Sequence, residues 1–207
     1  MDKSEQLKEI RDEIWNLKES PLYEERVKNN AYPVIGEGNH NADAMFIGEA
    51  PGKNEAATGR PFCGRSGQVL DSLLKHINLD RKDVYITNIV KDRPTNNRDP
   101  KTDEIELYAP FLDRQIEIIK PKIIITLGRF SMEYIMRRYG LEKEFDSISK
   151  LHGQNFITSF SYGKVSVLPL YHPAVAVYNN NLLDSLKKDF EKVEILIKEA
   201  HEPKPLF

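Results

Sequence analysis

Short apolar runs alternate with longer amphipathic stretches along this chain. The apolar runs are rich in Ile and Val and are too short for core helices, which favours buried parallel strands. These runs are Ala44–Ile47, Val84–Val90, Lys122–Leu127 and Val165–Leu170. The stretches with apolar residues at helical spacing are Ser66–Asn78, Asp103–Lys120, Arg129–Tyr139 and Leu182–Glu199. The alternation predicts an α/β fold in which helices cover both faces of a parallel sheet.

The length of 207 residues is enough for one domain with a full core, so we expect residues 1–207 to form a single domain. Residues 1–19 have a charged, helical pattern, and His201–Phe207 contains two prolines and is predicted to be a tail. No segment approaches the roughly 18 consecutive apolar residues of a membrane span, and the start has no apolar signal core. These features predict a cytoplasmic protein without a membrane partner.

Charge and cysteine content limit the possible chemistry. The 30 basic and 32 acidic residues give a formal charge of −2, which neither suggests nor excludes a nucleic-acid partner. Cys63 is the single cysteine of the sequence. One cysteine excludes an internal disulfide framework and any all-cysteine metal or iron–sulfur site within one chain.

Each predicted strand runs into a loop with unusual residues. These loops are Gly48-Glu49-Ala50-Pro51-Gly52, Lys91-Asp92-Arg93-Pro94 after Asn88, Leu127-Gly128-Arg129, and Tyr171-His172-Pro173-Ala174. Ligands bind outside the carboxyl ends of the strands in an open parallel sheet, so the four loops should converge on one crevice. Gly and Pro could merely terminate the strands, but terminators do not require His, Asn and Glu.

Three side chains near these loops are candidates for binding a planar base. Phe62 lies between prolines and glycines, outside any periodic run, and could stack on a base; a core-edge plug is the alternative. Asn88 interrupts an apolar strand and could read a pyrimidine edge, or it could bond a neighbouring loop. His172 at a strand end is a candidate for catalysis, and a structural strand cap is its alternative.

Several ordered motifs together resemble the uracil-DNA glycosylase superfamily, and most of all its family 4 type of bacteria and archaea. The matching strings are Gly48–Gly52, Thr58–Phe62, Tyr85–Lys91 and His172–Ala174, together with Gly36–Asn39 and Asn97–Pro100. The resemblance extends from about Ser20 to Val193. It implies a three-layer α/β/α fold with a four-stranded parallel sheet of order 2-1-3-4. It also implies a monofunctional DNA repair enzyme that flips uracil out of DNA and hydrolyses its N-glycosidic bond, leaving an abasic site.

The resemblance assigns roles inside the uracil pocket. His172 matches the histidine that faces the base, Asn88 the residue that reads the uracil edge, and Phe62 the stacking aromatic. The backbone at Glu49 and Ala50 matches the loop that shapes the pocket and holds water. Glu49 and Glu55 match family glutamates, and either could orient water or stabilise the cationic sugar.

Contacts with DNA are expected from loops beside the crevice. The cations expected near phosphates are Arg60, Lys91, Arg93, Arg98 and Arg129, each of which could instead be an ordinary solvated charge. Residues 173–179 match the family loop that wedges into the duplex. That loop begins with Pro173 and Ala174, and Val175, Val177 and Tyr178 are apolar enough to fill a gap in the base stack.

One departure from the family concerns its [4Fe–4S] cluster, which ties loops near the DNA surface. The resemblance places the four cluster cysteines at Leu17, Ser20, Asp92 and Tyr108, none of which is cysteine here. We therefore expect no cluster and no other cofactor or metal. Apolar packing of Leu17, Tyr23 and Tyr108 could replace it.

Three alternatives to uracil excision are compatible with these sequence features. The pocket could accept another deaminated base, such as hypoxanthine, or the chain could bind deaminated DNA with low turnover. An unrelated nucleotide-binding α/β protein should carry a phosphate-binding glycine loop, and the sequence has none. The preferred interpretation is a monomer whose partner is uracil-containing DNA.

Overall fold

The structure is a computed structural model that describes residues 1–201, apart from the side chains of Tyr178, Asn180 and His201. The predicted tail therefore lies outside the described residues, except that the last helix ends at His201. The helices are α1 (Lys3–Trp15), α2 (Tyr23–Lys28), α3 (Lys53–Thr58), α4 (Arg65–His76), α5 (Thr102–Ile119), α6 (Arg129–Arg138), α7 (Ile148–Leu151), α8 (Ala174–Tyr178) and α9 (Asn180–His201). No helix within residues 1–201 is long and apolar enough to cross a membrane.

The helices surround one mixed sheet of six strands in the order β1-β3-β2-β4-β6-β5. The strands are β1 (Glu37–Gly38), β2 (Ala44–Gly48), β3 (Tyr85–Asn88), β4 (Ile123–Leu127), β5 (Phe156–Phe160) and β6 (Gly163–Leu170). The inner strands β3, β2, β4 and β6 pair in parallel, in the order predicted for them. The edge strands β1 and β5 are antiparallel to their neighbours. The expectation of only four strands, all parallel, was therefore wrong.

Two apolar layers hold the helices against the sheet. On one face Ile10 of α1, Ile116 of α5 and Met132 of α6 belong to one buried cluster. On the other face Leu70 of α4 and Phe190 of α9 belong to a second cluster. Both central strands are buried along their whole length, which explains their uninterrupted apolar sequences. This three-layer arrangement leaves the carboxyl ends of the parallel strands free to carry a site.

The predicted N-terminal helix is shorter than the charged pattern of residues 1–19. Helix α1 begins after Asp2, whose side chain accepts the backbone N–H of Glu5 while the Glu5 side chain accepts the N–H of Asp2. It ends at Trp15, and its inner face carries the buried side chains of Leu7, Ile10 and Ile14. The helix therefore packs on the core instead of extending into solvent.

Candidate active site

A cavity of about 330 Å³ opens at the carboxyl edge of the parallel strands. Predicted site residues that line it are Glu49, Ala50, Glu55, Phe62, Asn88, Arg98, His172 and Ala174. Pro94 and Asn97 add to the wall from the segment that follows β3, and the other lining residues are Pro51, Gly52 and Ser66. Arg60, Lys91 and Arg93 lie outside this lining. A cavity of this size with a few convergent polar groups is typical of a small-ligand site.

The geometry around His172 determines which ring nitrogen carries the proton. The backbone N–H of Ala174 donates to Nδ1 of His172 at 3.1 Å, so the neutral ring carries its proton on Nε2. Burial lowers the pKa of His172 to about 4, although the negative charge of Glu55 acts in the opposite direction. At neutral pH the ring is therefore uncharged and has one N–H donor, at Nε2.

Phe62 stacks against His172, with ring centroids 5.5 Å apart and planes 27° from parallel. Its side chain lines the cavity and also belongs to the second apolar cluster, so it packs at the core edge and stacking on a base remains a prediction. Its φ of +47° lies in the left-handed region that a bulky residue rarely adopts. Such a conformation persists only where surrounding contacts enforce it.

Glu55 and Arg81 provide those contacts. Glu55, on α3, accepts the backbone N–H groups of Cys63 at 2.9 Å and Gly64 at 2.8 Å through Oε1. Arg81 donates to the carbonyl oxygens of Phe62 at 3.1 Å and Pro61 at 2.7 Å. One carboxylate oxygen of Glu55 is thus engaged in holding the phenylalanine loop. Arg81 was not predicted, because it precedes β3 and no motif contains it.

Asn88 ends β3 with its side chain only 2% exposed. No hydrogen bond to its side-chain amide is found among the described residues, and the amide faces the cavity. Gly48 makes this placement possible: a Cβ at that position would lie 2.3 Å from Oδ1 of Asn88 and 2.7 Å from the ring of Phe62. A buried amide without a protein partner is a strong recognition group for a ligand that both donates and accepts.

Glu49 follows β2 directly and is half-buried in the cavity wall. Its pKa is raised to about 7, because burial opposes the charge and nearby Asp99 repels it; Arg129 acts in the opposite direction. Arg129 pairs with Asp99 at 2.5 Å. A carboxyl group that titrates near neutral pH suits proton transfer. The influence of Asp99 was not predicted, since nothing local brings position 99 beside position 49.

The position of Lys91 in the structure contradicts the role predicted for it. It was expected to contact phosphate, but it is completely buried. Its Nζ donates to Thr87 Oγ1 at 2.8 Å, to the carbonyl oxygen of Asn88 at 2.6 Å and to Gln115 Oε1 at 2.6 Å. Burial lowers the pKa of Lys91 well below its usual value. Lys91 therefore holds the end of β3 from inside and cannot reach DNA without unfolding this segment.

The other predicted phosphate-binding cations already have partners. Arg60 pairs with Glu37 at 3.0 Å, Arg98 pairs with the buried Glu104 at 2.5 Å, and Arg129 pairs with Asp99. Arg93 donates to Asn97 Oδ1 at 2.6 Å. Arg60 and Arg129 are largely exposed, so water screens their pairs and a phosphate could compete for either cation.

The predicted wedge residues form the short helix α8, which begins after Pro173. Ala174 reaches the cavity, Ala176 is buried, and Val175 and Val177 are partly exposed. The side chain of Tyr178 lies outside the described residues. The helix thus starts at the pocket mouth and continues away from it.

The residues at the four cluster positions do not fit an iron–sulfur cluster. Hydrogen bonds join three of them: Ser20 Oγ lies 2.8 Å from the Tyr108 hydroxyl, which donates to Asp92 Oδ2 at 2.5 Å. Leu17 packs on the first apolar cluster. In residues 1–201 no group of three or more His, Cys, Asp or Glu could hold a metal ion. Leu17 and the ring of Tyr108 both pack in the first apolar cluster, as expected for them. The hydroxyl of Tyr108 adds polar contacts with Ser20 and Asp92, which were not expected.

A family comparison decides the relationship that the motifs suggest. The model of the uracil DNA glycosylase superfamily matches residues 35–197, which include the whole cavity. The chain belongs to this superfamily. That region contains every parallel strand and every lining residue described above.

Proteins named type-4 uracil-DNA glycosylase are similar to this chain over most of their length. The protein of Saccharolobus solfataricus is 48% identical over 199 residues, covering 95% of this chain and 87% of the relative. That of Sulfurisphaera tokodaii is 47% identical over 191 residues, with 92% and 84% covered. That of Thermotoga maritima is 39% identical over 172 residues, with 82% and 85% covered.

Proposed function

We propose that this protein is a uracil-DNA glycosylase, which flips uracil out of DNA and hydrolyses its N-glycosidic bond. The observation that carries the proposal is the cavity itself, where the free amide of Asn88, the ring of Phe62 and a neutral His172 meet. The similarity to named type-4 uracil-DNA glycosylases supports the same reaction. The product is DNA with an abasic site.

Base recognition belongs to Asn88 and Phe62. The amide of Asn88 donates to uracil O4 and accepts from N3–H, so a base with the opposite pattern leaves buried groups unpaired. Phe62 provides the flat wall against which the flipped base stacks. Ala50 and the backbone of its loop form another part of the pocket wall.

Bond cleavage places negative charge on the leaving uracil and positive charge on the sugar. His172 donates its Nε2–H to uracil O2 as the anion develops, and its low pKa keeps it a neutral donor instead of a general acid. Glu49, as a carboxylate, stabilises the cationic sugar and orients the water that attacks C1′. Glu55 contributes through the loop that it fixes at Cys63 and Gly64.

DNA is held by loops around the pocket mouth. Arg60, Arg93, Arg98 and Arg129 lie on segments flanking the cavity and contact phosphates, a role that would require exchange of their present partners. The turn at Pro173 and Ala174 leads into α8, and Val175 and Val177 of α8 fill the gap left by the flipped base. In this proposal the chain acts as one domain and as a monomer in the cytoplasm, without an iron–sulfur cluster.

One assay tests the proposal. The protein is incubated with matched duplexes that carry uracil, hypoxanthine or cytosine at one position, and abasic sites are then cleaved with alkali. We expect cleavage at uracil and none at cytosine. Cleavage at hypoxanthine alone would replace uracil as the substrate, and binding without cleavage of any duplex would favour a damage-binding protein.

A further inference from the structure

A buried polar network lies behind the pocket, between α1, α2, α5 and the segment after β3. Arg26 donates through Nη1 to both carboxylate oxygens of Asp92 at 3.1 Å, and the two side chains are 6% and 1% exposed. Tyr108 donates to Asp92, and Ser20 lies within hydrogen-bond distance of Tyr108. We call these four residues the Arg26–Asp92 network.

Further hydrogen bonds compensate the burial of its charges. Arg26 also donates to the carbonyl oxygens of Ile14 at 3.1 Å and Trp15 at 2.6 Å in the last turn of α1. The carbonyl oxygen of Ile14 accepts the backbone N–H of Leu17 as well. The guanidinium lies 4.9 Å from the ring centroid of Tyr23. A buried ion pair holds its geometry only when such additional bonds satisfy both partners.

The network is directly connected to the pocket wall. Asp92 is adjacent to Lys91, which donates to the carbonyl oxygen of Asn88. Two residues further along, Pro94 lines the cavity, and Asn97 and Arg98 follow in the same wall. Asp92 therefore lies within the segment 88–98, and residues at both ends of this segment line the pocket.

We propose that the Arg26–Asp92 network positions the pocket segment 91–98, and that it does so in place of the iron–sulfur cluster implied by the family resemblance. Three of the four positions that the resemblance assigns to cluster cysteines belong to this network. Arg26 adds a cation that ties α1 and α2 to Asp92. The inference rests on the proposed function for its link to uracil excision, whereas the positioning itself can be measured without substrate.

The decisive variant removes both charges together, because removing one leaves the other buried and unpaired. Arg26→Met/Asp92→Leu replaces the ion pair with apolar side chains of similar size and leaves no buried charge unpaired. The carbonyl oxygen of Trp15 and the hydroxyl of Tyr108 each lose one partner, so we expect the melting temperature to fall by about 5 °C. The single variant Asp92→Asn should lower it by on the order of 10 °C. The matched control is Glu13→Leu/Arg114→Met, since that pair also ties α1 to α5 but lies away from the pocket.

Hydrogen exchange and uracil excision both report whether the pocket segment 91–98 is held in position. The backbone N–H groups of Asn97 and Arg98 donate to Pro94 and Thr95, so their hydrogen exchange reports the order of the pocket segment. We expect faster exchange there and about tenfold slower uracil excision in Arg26→Met/Asp92→Leu, with neither change in the control. Wild-type exchange and excision in this double variant would overturn the proposal. If the wild type excises no uracil, the proposed function fails and the exchange measurement still decides the positioning.

Iron content tests the second half of the proposal. Protein purified without oxygen from iron-supplied cells should contain no stoichiometric iron, and oxidation with ferricyanide should leave excision unchanged. About four iron atoms per chain, with loss of exchange protection when they are removed, would overturn the replacement of the cluster.

Discussion

The segment after β3 separates two groups of polar side chains with opposite surroundings. On the pocket side, the amide of Asn88 has no partner among the described residues, and Glu49 and His172 have pKa values shifted toward their neutral forms. On the inner side, Asp92 is bonded to Arg26 and Tyr108, and Lys91 to three acceptors. The pocket therefore keeps its polar groups available to a ligand, while the buried groups behind it fix where they stand.

Of these variants, those at Asn88 should show the largest loss of excision relative to any loss of stability. Asn88→Ala removes a buried recognition group that has no partner among the described residues, so we expect uracil excision to fall by on the order of 100-fold or more with little loss of stability. Asn88→Asp should also weaken recognition, because an acceptor then faces O4. Single-turnover excision and thermal unfolding of the same preparation measure both quantities. Wild-type rates in Asn88→Ala would remove Asn88 from the pocket.

Glu49→Gln should change activity and stability in opposite directions. Excision by the wild type should rise with pH as Glu49 ionises near pH 7 and then level off, whereas the variant should be about 10- to 100-fold slower without this rise. His172 stays neutral over this range because its pKa is about 4. Single-turnover rates from about pH 5 to about pH 9 test this expectation.

The stability of Glu49→Gln follows from proton linkage. The folded pKa of Glu49 lies above its usual 4.5, so the folded state binds more protons and wild-type stability falls as pH rises from about 4.5 to about 7. Above pH 7 the variant should therefore melt at a higher temperature than the wild type, while near pH 4 the two should converge. Equal melting temperatures at both pH values would contradict the raised pKa.

Lys91→Met should have the smallest effect on excision of these variants, about tenfold. The change removes the donor that holds the carbonyl oxygen of Asn88 and leaves Gln115 Oε1 with only the hydroxyl of Thr87, at 3.4 Å, so it should also lower the melting temperature. Lys82→Met, at an exposed lysine, is the matched control. A DNA-binding defect with unchanged stability would instead return Lys91 to the role of a phosphate contact.

Local sequence was sufficient for the parallel strands and for much of the pocket. The apolar runs had to be buried on both faces, and residues after their carboxyl ends necessarily share one edge of the sheet. Gly48, Asn88 and His172 could therefore be placed together from the amino-acid pattern alone. Edge strands were missed because β1 has only two residues and β5 alternates in exposure without an apolar run.

Long-range partners explain what local sequence could not predict. The string Lys91-Asp92-Arg93-Pro94 has the composition of a solvent loop, yet its first two charges are buried. Their partners Gln115 and Arg26 lie 24 and 66 positions away, and nothing in the local pattern points to them. The same limitation applies to the effect of Asp99 on Glu49.

The role of His172 in bond cleavage is tested by the single-turnover rate of His172→Ala on a uracil duplex, measured with thermal unfolding and with binding to a non-cleavable uracil analogue. The neutral Nε2–H meets charge that appears only as the bond breaks, so we expect the rate to fall by roughly 10²–10³-fold. Binding and melting temperature should change little, since phosphate contacts dominate affinity. An unchanged rate per folded molecule, with a lowered melting temperature, would make His172 a structural strand cap and contradict the proposed mechanism.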